Sequence, residues 1–284
     1  MFRRVLITAL LLLQLAVPAL ALTPDQAGSV RVQGASLAYR VYGSGEPLLL
    51  ITGYGATMDA WPEALLADLS RSRKVIVFDN RGMAYSTASA RPFSIELFAE
   101  DAAGLLRGLG LKRAAVLGWS MGSTVAQELA LAHPDMVDKL VLYATDIENT
   151  DVLHALNRMS APGEAPLAHL FPEAWRTAHP DYLEKMPAVG RPPSAEAVER
   201  QKQAIVRWGG TRSRLGRSHA PVLLVVGAGD SVTMPSKSRE AAGLLGGPAW
   251  LAVFGNAGHG LMFQAPDDLA RVVLDFLEVR QTVH

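Results

Sequence analysis

The chain has 284 residues, carries no cysteine, and balances 27 basic against 27 acidic residues. This excludes a disulfide-stapled scaffold and a cysteine-ligated zinc site, and leaves no basic excess for holding nucleic acid or an anionic membrane surface. With 49% hydrophobic residues, the chain is long enough for one large core with room for an insertion.

Arg3 and Arg4 precede an apolar run over 5–17, broken only by Thr8 and Gln14, and Ala19-Leu20-Ala21 follows Pro18. A short positive region, an apolar stretch and a small-x-small site are the layout of a secretory signal peptide cleaved after Ala21. The run is short for an uncleaved bilayer anchor, which needs roughly 20 residues. The mature protein is expected to be exported, to the periplasm or the medium, with no stable membrane partner. Loss of 1–21 removes two arginines and no acids, so the mature charge turns slightly negative.

Residues 29–33 and 35–42 alternate like two antiparallel strands. Nearly all-apolar strands are predicted over 47–52, 74–78, 113–117, 139–144, 221–226 and 250–254. Helices are predicted over 61–69, from an N-cap at Ser94 to about Leu109, over 121–133 up to Pro134, over 235–245 and over 265–279. Apolar strands alternating with helices predict an α/β fold, with a mostly parallel central sheet covered on both faces. The rhythm breaks between 146 and 219, where no strand-like run occurs. Helical pieces are predicted there over 151–159, 172–177 and 194–208, the last capped by Ser194. Phe171, Trp175, Tyr182 and Trp208 favour a folded helical lid over a disordered linker. The plan is a core of 22–145 and 220–284 with a lid of 146–219 inserted.

Gly118-Trp119-Ser120-Met121-Gly122 falls between the strand over 113–117 and the helix over 121–133. A serine flanked by glycines at a strand-to-helix junction is the layout of a nucleophile elbow. The turn forces a strained backbone and needs small neighbours so that strand and helix can close up. A serine hydroxyl also needs a base. Of the seven histidines, His259 follows the last strand in a glycine-rich loop, at the edge where parallel strands end. The base needs a carboxylate to set its tautomer. Asp230 follows the strand over 221–226 and completes the chain order Ser, Asp, His. Asp146, after the strand over 139–144, is the rival acid, and Asp230 is favoured because its strand end lies nearer the histidine. The backbone N–H groups of Met121 and Tyr54 are the expected oxyanion donors. Tyr54, Trp119 and Trp175 are expected to border the substrate, although most lid aromatics and methionines are expected to pack within the lid. Asp79 and Arg81 are read as braces for the loops. No zinc-ligand spacing and no Walker-type loop occurs, so neither metal nor cofactor is expected.

Five ordered pieces then carry a resemblance: Thr52-Gly53-Tyr54-Gly55, Asp79-Asn80-Arg81-Gly82-Met83-Ala84-Tyr85-Ser86, the elbow, Gly227-Ala228-Gly229-Asp230 with Pro235 beyond it, and Gly258-His259-Gly260. Together they resemble the α/β-hydrolase superfamily, and within it the lidded esterase, lactonase and cofactor-free perhydrolase branch. The resemblance implies Ser120 as nucleophile, Asp230 as acid, His259 as base, and Met121 and Tyr54 as oxyanion donors. Two positions depart from the family pattern. Thr52 stands where a histidine is usual, which bears on how the oxyanion loop is braced. Ala84 stands where a glycine is usual, read as a minor change in a turn. Serine at the elbow argues against the dehalogenase and epoxide hydrolase branches, which use aspartate there.

The expected activity is hydrolysis of a carboxylic ester or lactone of a small molecule through an acyl-enzyme. The same three side chains also serve carbon–carbon cleavage of a diketone, peracid formation, or peptide cleavage at a terminal proline. A ligand-binding module with an idle triad is the non-enzymatic alternative. Nothing in the pattern specifies an oligomer.

Overall fold

A computed structural model describes residues 22–148, 155–156 and 167–279. The apolar leader over 1–21 lies outside the described residues. Of the helix expected over 151–159, only Ala155 and Leu156 are described, both helical and buried.

The first hairpin pairs β1 (Gln26–Val32) with β2 (Ala35–Tyr42) in antiparallel register, Val32 opposite Ala35. Along β2 the side chains alternate between buried and half-buried, the period-2 signature of a strand with one covered face. The other strands are β3 (Glu46–Ile51), β4 (Arg73–Phe78), β5 (Ala114–Trp119), β6 (Val137–Tyr143), β7 (Val222–Gly227) and β8 (Ala249–Phe254). The sheet order is β1-β2-β4-β3-β5-β6-β7-β8, and every pairing from β4 to β8 is parallel.

The core helices are α1 (Glu63–Ser70), α2 (Ile95–Gly108) and α3 (Met121–Ala132). Between β6 and β7 run α4 (Glu173–Ala178) and α5 (Ala195–Arg207). Then follow α6 (Pro235–Leu244), the single turn α7 (Leu261–Gln264) and α8 (Pro266–Glu278). The Ser94 hydroxyl accepts from the Leu97 N–H at 3.0 Å to cap α2, and Ser194 caps α5 through the Ala197 N–H at 3.1 Å.

Strand alternation divides the interior in two. Leu49 and Ile51 face one apolar layer with Phe98 of α2 and Val125 of α3. Leu48 and Leu50 face the other with Leu65 of α1 and Phe276 of α8. The doubly covered parallel sheet expected from the apolar runs is what forms. β8 is the exception. As an edge strand it leaves Trp250, Leu251 and Val253 about two-fifths exposed, so its apolar run reflects strand propensity more than burial.

Because β3 to β8 run in parallel, the loops after β3, β4, β5, β7 and β8 gather at one sheet edge. Two buried carboxylates hold that edge together. Asp79 accepts from the Met58 N–H at 2.8 Å and from the Tyr85 N–H at 3.2 Å. Asp101 of α2 accepts from Arg81 Nε at 2.7 Å and Nη2 at 2.5 Å, and Arg81 also reaches the Gln33 carbonyl at 2.9 Å.

Ala84 in the same loop has φ +40, a conformation that disfavours any residue with a Cβ. The departure from glycine there is therefore a strained position rather than a neutral turn change. Ala84→Gly is expected to raise stability by about 1 kcal/mol. The check is a higher urea midpoint at unchanged denaturant slope.

Where it is described, the segment between β6 and β7 carries α4, α5 and short 3₁₀ turns joined by irregular chain. Trp208, which follows α5, donates to Glu128 of α3 at 2.8 Å, and Arg214 grips the same carboxylate at 2.6 and 2.8 Å. Arg200 of α5 stacks over the Phe93 ring at 3.8 Å. These contacts fasten the segment to the α3 side of the sheet.

Candidate active site

Ser120 links β5 to α3 with φ 56 and ψ −122, a backbone that costs about 1–3 kcal/mol in an L-residue. The flanking glycines are required sterically. A Cβ on Gly118 would sit 2.2 Å from the Gly122 carbonyl oxygen, and one on Gly122 would sit 2.1 Å from the Ile51 oxygen. The strand and helix close up only because both positions lack a side chain.

His259 lies in the loop between β8 and α7, where its Nε2 is 2.8 Å from Ser120 Oγ and its Nδ1 is 2.9 Å from Asp230 Oδ2. An ionised carboxylate only accepts, so Nδ1 carries the proton and Nε2 is left to accept from the serine hydroxyl. Asp230 is itself held: Oδ1 accepts from the Val232 and Thr233 N–H groups at 2.8 and 2.9 Å, and Oδ2 accepts from Thr233 Oγ1 at 3.0 Å. The loop is fixed at its backbone as well. The His259 carbonyl accepts from Tyr143 OH at 2.7 Å and from Trp119 Nε1 at 3.1 Å. Full burial pushes the Tyr143 phenol well above its ordinary range, so it stays a neutral donor.

The rival acid is committed elsewhere. Asp146 Oδ1 accepts from the Ile147 and Glu148 N–H groups at 2.7 and 3.1 Å, while the carboxylate on His259 is that of Asp230.

Met121 opens α3, so its N–H has no partner within the helix. A Cβ on Gly53 would lie 3.2 Å from Ser120 Cβ, which puts the loop carrying Tyr54 against the serine. With Thr52 in place of a histidine, that loop is braced differently. Asn80 Nδ2 donates to Thr52 Oγ1 at 3.3 Å, and Gln201 Oε1, wholly buried on α5, accepts from the Gly55 N–H at 2.9 Å.

Ser120 and His259 open on a cavity of about 340 Å³, walled mainly by apolar side chains such as Leu156, Leu170, Met186, Val232 and Phe263. A larger recess of about 700 Å³ shares Pro187 and Phe263 with it but holds none of Ser120, Asp230 and His259, so the smaller cavity is the candidate site. Tyr54 and Trp119 line it. Trp175 does not, which corrects the expectation that it borders the substrate. Its ring stacks between Phe171 at 4.7 Å and His179 at 4.3 Å, packing the segment against itself. Of the segment's other aromatics and methionines, Met186 lines the cavity, Trp208 bonds Glu128 instead, and Met159 lies outside the described residues.

Four contributors escaped the sequence reading: Thr233, Tyr143, Gln201 and His169. Tyr143 ends β6 at the right edge, a signal that strand order makes available. Thr233 lies three residues after Asp230, at the spacing of a local side-chain brace. Gln201 and His169 carry no comparable local sign. His169 lines the cavity. Burial first, and the neighbouring His259 second, lower its pKa to about 4, so its ring is neutral at neutral pH. Among the described residues no group of three or more His, Cys, Asp or Glu side chains is arranged to hold a metal ion.

A family model described as alpha/beta hydrolase fold matches residues 46–199. The chain is 38% identical over 111 residues to the "Putative non-heme bromoperoxidase BpoC" of Mycobacterium tuberculosis (strain CDC 1551 / Oshkosh), a stretch covering 39% of this chain and 42% of that relative. It is 29% identical over 245 residues to the "Putative carbamate hydrolase RutD" of Caulobacter sp. (strain K31), covering 82% of this chain and 90% of the relative. Among solved structures, the enol-lactonase from Burkholderia xenovorans LB400 matches with a TM-score of 0.77 at 25% identity, covering 89% of this chain and 100% of the other. With a parallel sheet that gathers its loops at one edge, a serine on a strained strand-to-helix turn and a family match over more than half its length, the chain belongs to the alpha/beta hydrolase fold family.

Proposed function

We propose that the protein is an exported serine hydrolase that cleaves a carboxylic ester or lactone through an acyl-enzyme. The observation that carries this reading is the unbroken chain of hydrogen bonds from Asp230 through His259 to Ser120, at 2.9 and 2.8 Å, ending at an apolar cavity. His259 Nε2 takes the hydroxyl proton as Ser120 Oγ attacks the carbonyl carbon. The oxyanion that forms faces the Met121 and Tyr54 N–H groups, each worth about 3 kcal/mol in such a role. The proton then passes from His259 to the leaving oxygen, and the acyl group stays on Ser120. Water, deprotonated by His259, attacks the acyl carbon, and the returning proton restores the serine. Asp230 holds the imidazole orientation and stabilises its cationic form throughout.

The segment over 146–219 acts as the lid in this reading, since Leu156, Leu170 and Met186 supply cavity wall from it. The leader over 1–21 directs export, a reading supported by Arg3, Arg4, the apolar run and Ala19-Leu20-Ala21. The likeness to the enol-lactonase favours a lactone among the ester substrates. The likeness to a protein named for carbamate hydrolysis favours a second reading, because a carbamate offers the same attackable carbonyl. A cavity of about 340 Å³ fits a small or short-chain acyl group, near the lower end of the ~300–1,000 Å³ seen for ligand sites.

The test is labelling with a fluorophosphonate, followed by peptide mass mapping and a panel of nitrophenyl esters, lactones and carbamates of graded size. The expected result is one adduct on Ser120 and loss of all turnover with it. Ester hydrolysis that persists with Ser120 unmodified would overturn the mechanism.

A further inference from the structure

Two polar side chains on the cavity wall go unused by the mechanism, the Tyr54 phenol and the His169 imidazole. His169 lines the same cavity as Ser120 and His259. It sits on the 3₁₀ turn Ala168–Leu170, half-buried, and makes no hydrogen bond among the described residues. Its ring is only part-buried, so a nitrogen that bonds nothing else in the fold can take a ligand group.

The turn is also locked to the loop that carries His259. The Gly260 N–H donates to the Leu170 carbonyl at 2.7 Å. A Cβ on Gly258 would lie 2.7 Å from that same oxygen and 2.8 Å from Pro172 Cδ. Neither glycine position leaves room for slippage, so His169 keeps a set position relative to His259. A polar group held in register with the reacting centre, inside an apolar wall, is how ligand sites fix orientation.

The chemistry of the wall narrows what it binds. Among the described residues no lysine or arginine lines the cavity, so a carboxylate there would lose its hydration with no counter-charge from them to replace it. A neutral imidazole offers one donor and one acceptor, which matches a hydroxyl or carbonyl. The burial that keeps His169 uncharged is consistent with that pairing.

Resting on the hydrolase reading above, we propose that His169 is a specificity-determining residue that hydrogen-bonds an uncharged hydroxyl or carbonyl group carried by the substrate beside its scissile ester. The protein thereby prefers polar-substituted small esters over plain alkanoates of equal size. One unpaired group on either side of such a contact is what makes discrimination strong.

The experiment separates binding from turnover. In a Ser120→Ala background at pH 7.5, affinities are measured by NMR titration for ethyl butanoate, ethyl 3-hydroxybutanoate and 2-hydroxyethyl butanoate. Each is measured with His169 intact, His169→Leu and His169→Gln, after thermal unfolding shows which variants are folded. At least one hydroxylated ester is expected to bind about tenfold more tightly than ethyl butanoate, a ratio that His169→Leu collapses and His169→Gln partly restores. Should His169→Leu fail to fold, His169→Phe takes its place as the non-bonding variant. Equal affinities for all three esters, no detectable binding, or a preference that survives loss of the imidazole would each overturn the proposal. Because Ser120 is absent from these measurements, a preference that depends on His169 supports the proposal even if the intact protein turns over none of the esters. That second result would count against the hydrolase reading alone.

Discussion

Ser120→Ala is expected to lower ester turnover by about 10⁴–10⁶-fold, because nucleophile and base act as one unit and removing either disables both. The fold should survive, since the Ser120 side chain is bonded only to His259 and supports no other element. The backbone makes a second substitution more informative. Ser120 holds φ 56, and alanine keeps the Cβ that makes this conformation costly. Ser120→Gly removes it and is expected to unfold at a higher temperature than Ser120→Ala, by roughly 1–3 kcal/mol of released strain offset by glycine's greater chain entropy. Both variants should be equally inactive. A glycine variant no more stable than the alanine variant would mean that the elbow stores no strain.

Arg81→Met is expected to cost about 3–5 kcal/mol of stability, since it leaves the Asp101 carboxylate buried with its principal partner gone. The pair is almost wholly enclosed, and Arg81 also ties the chain at Gln33 to α2. Burial already pushes the Asp101 carboxyl above its ordinary range even with Arg81 pulling it down. Without the arginine it rises further, so the folded variant binds a proton that the unfolded chain releases. The deficit should therefore be largest at neutral pH and shrink as pH falls toward 4. The double variant Arg81→Met with Asp101→Leu should recover most of the loss, because apolar groups of similar size can replace a buried ion pair. Chemical denaturation of the wild type and the two variants at two pH values checks both statements. A double variant as unstable as Arg81→Met would show that packing, not the unpaired charge, sets the cost.

Much of the site was legible before any coordinates. Ser120 declared itself through two glycines at a strand-to-helix junction, and their missing side chains prove to be where strand and helix touch. Asp230 and His259 were readable because each follows a strand, and parallel strands end at one edge. The reading of Ala84 as a minor change fell short because sequence shows which residue departs but not its dihedral, and φ +40 is where the cost lies. Trp175 was misplaced because it stands on a helix of six residues, too short for periodicity to say which way a side chain turns. Its ring went to Phe171 and His179 instead of the cavity.

The sequence by itself determined the fold class, the order of strands and helices, and the three side chains that meet at the sheet edge. Each of those follows from short-range rules: apolar period, turn chemistry, and the chain reversals that parallel strands demand. The tertiary structure alone decided what surrounds them. Gln201 reaches Gly55 across 146 residues of chain, Tyr143 secures the His259 carbonyl across 116, and His169 enters the cavity by way of the Leu170 contact with Gly260. No local pattern encodes the Gln201 and His169 pairings, and strand order brings Tyr143 to the edge without naming its partner. They arise when two finished surfaces pack and each buried polar group takes whichever partner the packing brings within reach.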